Sequence, residues 1–168
     1  INKVNWSTYK TTGLNPYQLH FSIEQGDEFI KASIEAKYTL SFQGRNKGLN
    51  IRLFSGRFLY GNNRGINSRF GFAMSGNRDY LYDEVLLGRA EVEGLLHNQF
   101  LKNDGGFKSE LGLANSQSWL SSVNLQTSLH RKIPLAVYVD IGWSSVKPES
   151  MYYGAGIALP IVKDIVEI

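Results

Sequence analysis

The stretch Phe29-Ile30-Lys31-Ala32-Ser33-Ile34-Glu35-Ala36-Lys37-Tyr38-Thr39-Leu40-Ser41-Phe42 decides how this chain folds. Ile30, Ala32, Ile34, Ala36, Tyr38, Leu40 and Phe42 fall on one parity. Lys31, Ser33, Glu35, Lys37, Thr39 and Ser41 fall on the other. Successive side chains of a β-strand point to opposite faces, so this order lays an apolar stripe along one side and a charged stripe along the other. A helix would scatter the same residues around its axis.

The pattern extends both ways. Tyr17, Leu19, Phe21 and Ile23 alternate with Gln18, His20, Ser22 and Glu24, and Gln25-Gly26-Asp27 turns the chain into the Phe29 strand. On the far side, Gly44-Arg45-Asn46-Lys47-Gly48 reads as a hairpin turn leading to Leu49, Ile51 and Leu53 and the aromatic run Phe54 to Tyr60. Asn62 to Asn67 is a polar loop, and Phe70, Phe72 and Met74 read as a further strand. Three late strands follow from Trp119, Val123, Leu125 and Leu129, from Leu135, Val137, Val139, Ile141 and Trp143, and from Tyr153, Ala155, Ile157, Leu159 and Ile161. Ahead of them, 79–118 contains a long loop region, in which Asp79 to Gly106 is read as a strand plus long loop with a turn at Asn103-Asp104-Gly105-Gly106. Lys163 to Ile168 reads as the start of another strand without its partner, and Ile1-Asn2-Lys3-Val4 as the start of a mature or excised segment.

Composition agrees with an all-β reading. The 168 residues suffice for one domain, 1–168, and 42% hydrophobic with 20% charged residues is too apolar for a disordered chain. Seventeen Gly, nine Tyr and nine Phe suit curved sheets. The net charge of +3 is spread along the chain without a basic block, which argues against a nucleic-acid partner. The absence of Cys excludes disulfides and thiolate metal sites. No run approaches the roughly 20 apolar residues of a spanning helix, and the mean hydropathy is −0.24. A membrane barrel has such values too, because polar lumen residues dilute the average.

Alternation alone suits a soluble barrel, apolar inward, and a membrane barrel, apolar outward. Three features favour the second. The Phe29 to Phe42 strand extends about 46 Å, enough to cross a hydrocarbon core when tilted. Tyr17, Phe42, Tyr60, Trp119, Trp143 and Tyr153 lie at or near strand ends, where interfacial aromatic girdles sit. The connections His130 to Pro134 and Pro160 to Asp164 are tight, whereas Gly61 to Ser68, Asn103 to Gln117 and Ser144 to Ser150 are longer. Short turns on one rim and long loops on the other are the outer-membrane arrangement. The polar parity also carries small residues, Ser122, Ser128, Gly142, Gly154, Gly156 and Ala158, which suit a narrow lumen.

The run Arg78-Asp79-Tyr80-Leu81-Tyr82-Asp83 through Leu87-Gly88-Arg89, then His97-Asn98-Gln99-Phe100 and Gly105-Gly106-Phe107-Lys108, resembles the carboxy-terminal barrel of large Bacteroidota outer-membrane proteins. Trp119 to Leu129 and Gly154 to Pro160 are similar to late strands of that group and, more distantly, of surface-antigen barrels. The resemblance implies a membrane-embedded module. In several such proteins the barrel follows a domain related to gluzincin metallopeptidases, whose zinc helix carries His-Glu-x-x-His. This sequence has no such motif, so peptidase activity would lie outside it. The Val-Arg-Gly-Phe-type loop tip of surface-antigen translocases is missing as well.

Catalytic patterns are sparse. His20, His97 and His130 stand far apart with no carboxylate at metal-ligand spacing, so no metal or cofactor is expected. Gly154-x-Gly156 lies inside an alternating strand rather than before a phosphate-binding helix. His97 with Ser116 or Ser118 is the one base and nucleophile combination for a lipid-directed site. Lys31, Glu35, Lys37 and Arg52 are the lumen-facing candidates for a charged network that plugs a barrel or tunes permeation.

The sequence therefore predicts an antiparallel up-and-down transmembrane β-barrel with about eight strands countable, alone or as part of a larger barrel. It would serve in the bacterial outer membrane as a non-catalytic anchor or scaffold, with the lipid bilayer and other envelope subunits as partners. Two alternatives stand beside it. One is a soluble barrel binding an apolar ligand among Ile34, Tyr38, Leu125 and Val139. The other is a small lipid-modifying enzyme of the outer membrane.

Overall fold

Period-two sequence becomes an antiparallel meander. The computed structural model describes residues 1–42, 48–61, 70–76, 104–108, 115–129, 135–158, 160–162 and 166–167. The strands are β1 (Asn2–Lys10), β2 (Tyr17–Gln25), β3 (Phe29–Ser41), β4 (Gly48–Gly61), β5 (Phe72–Ala73), β6 (Asn115–Ser116), β7 (Trp119–Ser128), β8 (Ala136–Ser144), β9 (Tyr152–Ala158), β10 (Pro160–Val162) and β11 (Val166–Glu167). Seven of them form one sheet in the order β1-β2-β3-β4-β7-β8-β9, every neighbouring pair antiparallel. Two small pairs, β5 with β6 and β10 with β11, stand apart from it. Among the described residues the sheet is open, with β1 and β9 as its edges. No helix there is long and apolar enough to cross a membrane, which says nothing of a β-barrel.

Register fixes the two faces. Thr8, Leu19, Ala36, Leu53, Val123, Ile141 and Tyr153 lie side by side across all seven strands. On the opposite face Tyr9, Gln18, Lys37, Arg52, Asn124, Asp140 and Gly154 form the matching row. The apolar face is the bare one: Trp6 is 59% exposed, Ile34 44%, Leu53 46% and Ile157 66%. The polar face is the covered one, with Ser22, Lys31, Ser122, Asp140 and Ser144 buried.

The cover comes from the long connection between β4 and β7. Phe72, Met74 and Phe107 pack with Phe54 and Leu120 of the sheet into a cluster of buried hydrophobic residues, flanked by Phe58 and Tyr152. Phe72 meets the Phe54 and Phe58 rings edge-on, at 5.9 and 5.3 Å between centroids. Small residues make the room. A Cβ at Gly56 would stand 2.6 Å from the Phe72 ring, and one at Gly142 would stand 2.6 Å from Met74 Sδ. Phe54, Gly56 and Phe58 share one parity of β4 and face inward by plain alternation, opposite Glu35, Ser33 and Lys31. The extra residue of β4, which holds fourteen against thirteen in β3, falls after Phe58. The register slips between Ile30 and Lys31, and Phe58 comes opposite Lys31 while Tyr60 comes opposite Ile30.

Several expectations need correction. Residues 70–74 do not form a full strand: only Phe72–Ala73 pairs, with Asn115–Ser116, and Met74 is buried against the inner face. The strand at Asn2–Lys10 joins the sheet although period two is faint there. Seven strands, not eight, make the sheet among the described residues. Loop asymmetry is also less general than expected. The edge that carries the connection 62–118 also carries the tight turn 26–28, where the Gly26 amide donates to the Phe29 carbonyl at 2.9 Å. The lone strand foreseen at Lys163 to Ile168 has a partner, since Val166–Glu167 pairs with Pro160–Val162. The Gly44 to Lys47 turn, the Asn62 to Asn67 loop, and most of 79–118 lie outside the described residues.

Gly56→Val forces a branched side chain into the Phe72 ring and is expected to destabilise the fold by about 1–3 kcal/mol. Ser55→Val, one residue away on the bare face, should change stability by less than about 0.5 kcal/mol. Denaturant midpoints of the two variants against the parent check both.

Candidate functional site

Arg52 sits in the middle of β4 on the inner face, with β3 and β7 on either side. Its Nε donates to Glu35 Oε2 at 2.8 Å, its Nη1 to Asn124 Oδ1 at 3.0 Å, and its Nη2 to the Asp104 carbonyl at 2.6 Å. One planar fork thus joins three strands and the inserted loop, which suits guanidinium and would defeat a lysine. Glu35 is further paired with Lys37 at 3.0 Å. Asn124 donates on to Asp140 Oδ1 at 2.9 Å, and Asp140 Oδ2 accepts the Lys108 amide at 3.0 Å. Asp140 is 1% exposed, so both of its oxygens are answered inside the protein.

A second group of charges lies toward the rim that bears the long connection. Lys31 pairs with Glu24 at 3.2 Å, donates to the Phe70 carbonyl at 3.3 Å, and stands 5.0 Å over the Phe72 ring. Lys3 approaches the same Glu24 at 3.8 Å. Between the two groups lies Asp104, whose Oδ2 accepts the Ala73 amide at 3.2 Å. This contact ties the two loop pieces together, as do the Gly105 amide to Ala73 and the Phe107 amide to Met74, at 3.1 and 2.8 Å. Asp104 and Gly106 have positive φ, 36° and 67°, and a Cβ at Gly106 would collide with the Arg52 guanidinium. Gly-Gly after Asp is what lets the loop reach the wall.

All four lumen candidates, Lys31, Glu35, Lys37 and Arg52, therefore share one face. Glu35, Lys37 and Arg52 form a single chain of contacts, while Lys31 belongs to the neighbouring group. Sequence reading missed Glu24, Asp104, Asn124 and Asp140. The signal for Asp140 was present, since one carboxyl in the apolar run Ala136 to Trp143 falls on the polar parity.

The aromatic set divides by position. Trp143 pairs with Ser121, and Trp119 with Arg57, both toward the end of the sheet where Tyr60 lies. Tyr17 pairs with Tyr38 toward the other end, near Phe42. Tyr153 stands opposite Ile141, in the row of Leu53, because β9 begins lower than β8.

Among the described residues the remaining candidates assemble no reactive centre. Ser116 is fully buried, and its hydroxyl donates to the Trp119 carbonyl at 2.7 Å and meets Ser145 Oγ at 2.7 Å. His20 Nδ1 meets Ser7 Oγ at 2.7 Å. His97 and His130 lie outside the described residues, and among the described residues no group of His, Asp or Glu is placed to hold a metal. What fold and site define is an all-β chain whose sheet has one charged face fastened to an inserted loop. Compared with protein-family models, curated proteins and solved structures, the chain matches none.

Burial pushes the Asp104 carboxyl up to about 6, against the pull of Lys31 and Arg52 and the Ala73 amide, with Glu24 adding to the rise. A carboxyl raised on folding binds its proton more tightly in the folded state. Its stabilising contribution is therefore full below the unfolded value and is lost as pH rises through about 6. Hydrogen exchange of residues 104–108, corrected for intrinsic rate, should be slower at ~pH 5 than at ~pH 7, and Asp104→Asn should flatten that difference. Separately, Asp140→Ala leaves the Lys108 and Asn124 donors buried without an acceptor. It should cost about 1–3 kcal/mol for each, read by denaturant unfolding.

Proposed function

We propose that this chain is a transmembrane β-barrel, or the part of one that it spans, serving as a non-catalytic anchor or scaffold in a bacterial outer membrane. Its first partner is the lipid bilayer, with other envelope subunits as further partners. The observation that carries the reading is the sidedness of the sheet. Among the described residues of the sheet, the only charged side chains on the bare face are Lys10, at the end of β1, and Arg57, beside Trp119 toward the opposite edge. The intervening rows are apolar or hydroxyl-bearing, while the charges crowd onto the covered face. Such an arrangement suits hydrocarbon outside and water or protein inside.

Strand length supports it. Most strands of the sheet hold nine to fourteen residues, and a tilted spanning strand needs about 9–11. The competing carrier of an apolar ligand would enclose Ile34, Tyr38 and Val139, but these are 44%, 39% and 41% exposed on the outer face. The lipid-modifying alternative loses Ser116 as a nucleophile because both hydroxyl contacts are already made inside the protein.

The three tryptophans, Trp6, Trp119 and Trp143, all fall on the bare parity, which makes the reading easy to test. Protein folded into vesicles should show strong quenching of its emission by brominated acyl chains and little by aqueous iodide. Emission insensitive to brominated lipid, from a monomer that stays in plain buffer, would sink the proposal.

A further inference from the structure

The long connection between β4 and β7 returns to the sheet twice, at 70–76 and at 104–108, and both pieces lie against the polar face. From the side of the long connection their backbone comes down to the row Lys37, Arg52, Asn124 and Asp140, and the Lys108 side chain reaches one row on, its ammonium 5.5 Å over the Tyr138 ring. Beyond that row the same face carries Thr39, Asn50, Gln126 and Tyr138, polar but uncharged. The loop is attached in two ways. Phe72, Met74 and Phe107 fill hollows over Gly56 and Gly142, an apolar contact without direction. Arg52 and Asp140 then grip the backbone at the Asp104 carbonyl and the Lys108 amide, the directional contacts that set how far the loop descends.

We propose that 70–76 and 104–108 form a plug held down by Arg52 and Asp140, and that loss of this grip opens a polar passage along the inner wall. The passage rests on the barrel reading above, since ions need a closed wall. The grip itself does not. The grip is chemically suited to release, because each backbone group that lets go is replaced by water reaching a charged wall that hydrates well. A plug held by apolar packing alone would have nothing to hydrate. The substrate class is small ions and polar solutes, because the uncovered wall would present Glu24, Lys31, Glu35 and Arg52 together with the hydroxyl and amide groups beyond them.

Two measurements separate the parts. Hydrogen exchange of the detergent-folded protein reads the grip. In the parent, 104–108 should exchange slowly. Arg52→Ala should speed this segment at least about tenfold while β2 and β3 keep their protection, and Arg52→Lys should fall between. Gly106→Val presses the loop off Arg52 and Asn124 while every residue of the sheet is kept, and it substitutes for Arg52→Ala if that variant does not fold. Rapid exchange of 104–108 in the parent, or unchanged exchange in both Arg52→Ala and Gly106→Val, overturns the plug. Planar-bilayer recording reads the passage: the parent should be silent, and the loosened variants should conduct. A conducting parent, or loosened variants that exchange fast yet stay silent, overturns the passage. If brominated lipid fails to quench the tryptophans, the barrel reading falls, and the exchange data still decide the grip.

Discussion

A guanidinium withdrawn from water has five N–H donors and no way to shed its charge, so every structure that covers one must bring acceptors to it. Arg52 imposes this constraint on the inner face. It sits where β4 runs between β3 and β7, and its demand is met by Glu35 on one side, Asn124 on the other and the Asp104 carbonyl above. Each of those partners is held in turn, by Lys37, by Asp140 and by the Ala73 amide. The position of the inserted loop follows from that demand as much as from its own phenylalanines.

The fold also shows how a sheet can have its polar side covered and remain stable. In a soluble sandwich the apolar faces meet and the charges point away. Here the loop contributes a small apolar cluster, Phe72, Met74 and Phe107, which meets Phe54 and Leu120 of the sheet with Phe58 and Tyr152 at its flanks. Around this cluster the wall is handled by pairing rather than by exclusion: Lys31 with Glu24 and the Phe72 ring, Arg52 with Glu35, Asp140 with Asn124. Such pairs contribute modestly to net stability, yet removing one partner is costly, so they fix geometry more than they add strength.

Period two made β2, β3, β7, β8 and β9 legible, because each carries at least three apolar residues on one parity with polar residues between. β1 was not, since Val4 and Trp6 stand among Asn, Ser, Thr and Lys, and its place in the sheet comes from pairing with β2. Phe70, Phe72 and Met74 mimic a strand in sequence, but Phe72 and Met74 pack into the hollows at Gly56 and Gly142 while Phe70 lies against the Phe29 ring. The charged residues of β3 and β4 were readable as one face because neighbouring parity reveals it. Asp140 shows its face by the same parity, but its contact with Lys108 and the whole role of Asp104 were not readable, because they depend on a chain reversal that brings residues far apart in sequence onto one face, and no local pattern encodes that approach.

Strands of a meander alternate in direction, and seven is odd, so β1 and β9 run the same way along the two free edges. Joining those edges directly would create a parallel seam with slanted hydrogen bonds inside an otherwise antiparallel wall. An antiparallel seam requires an odd number of additional strands between them, the nearest case being one strand running opposite to both.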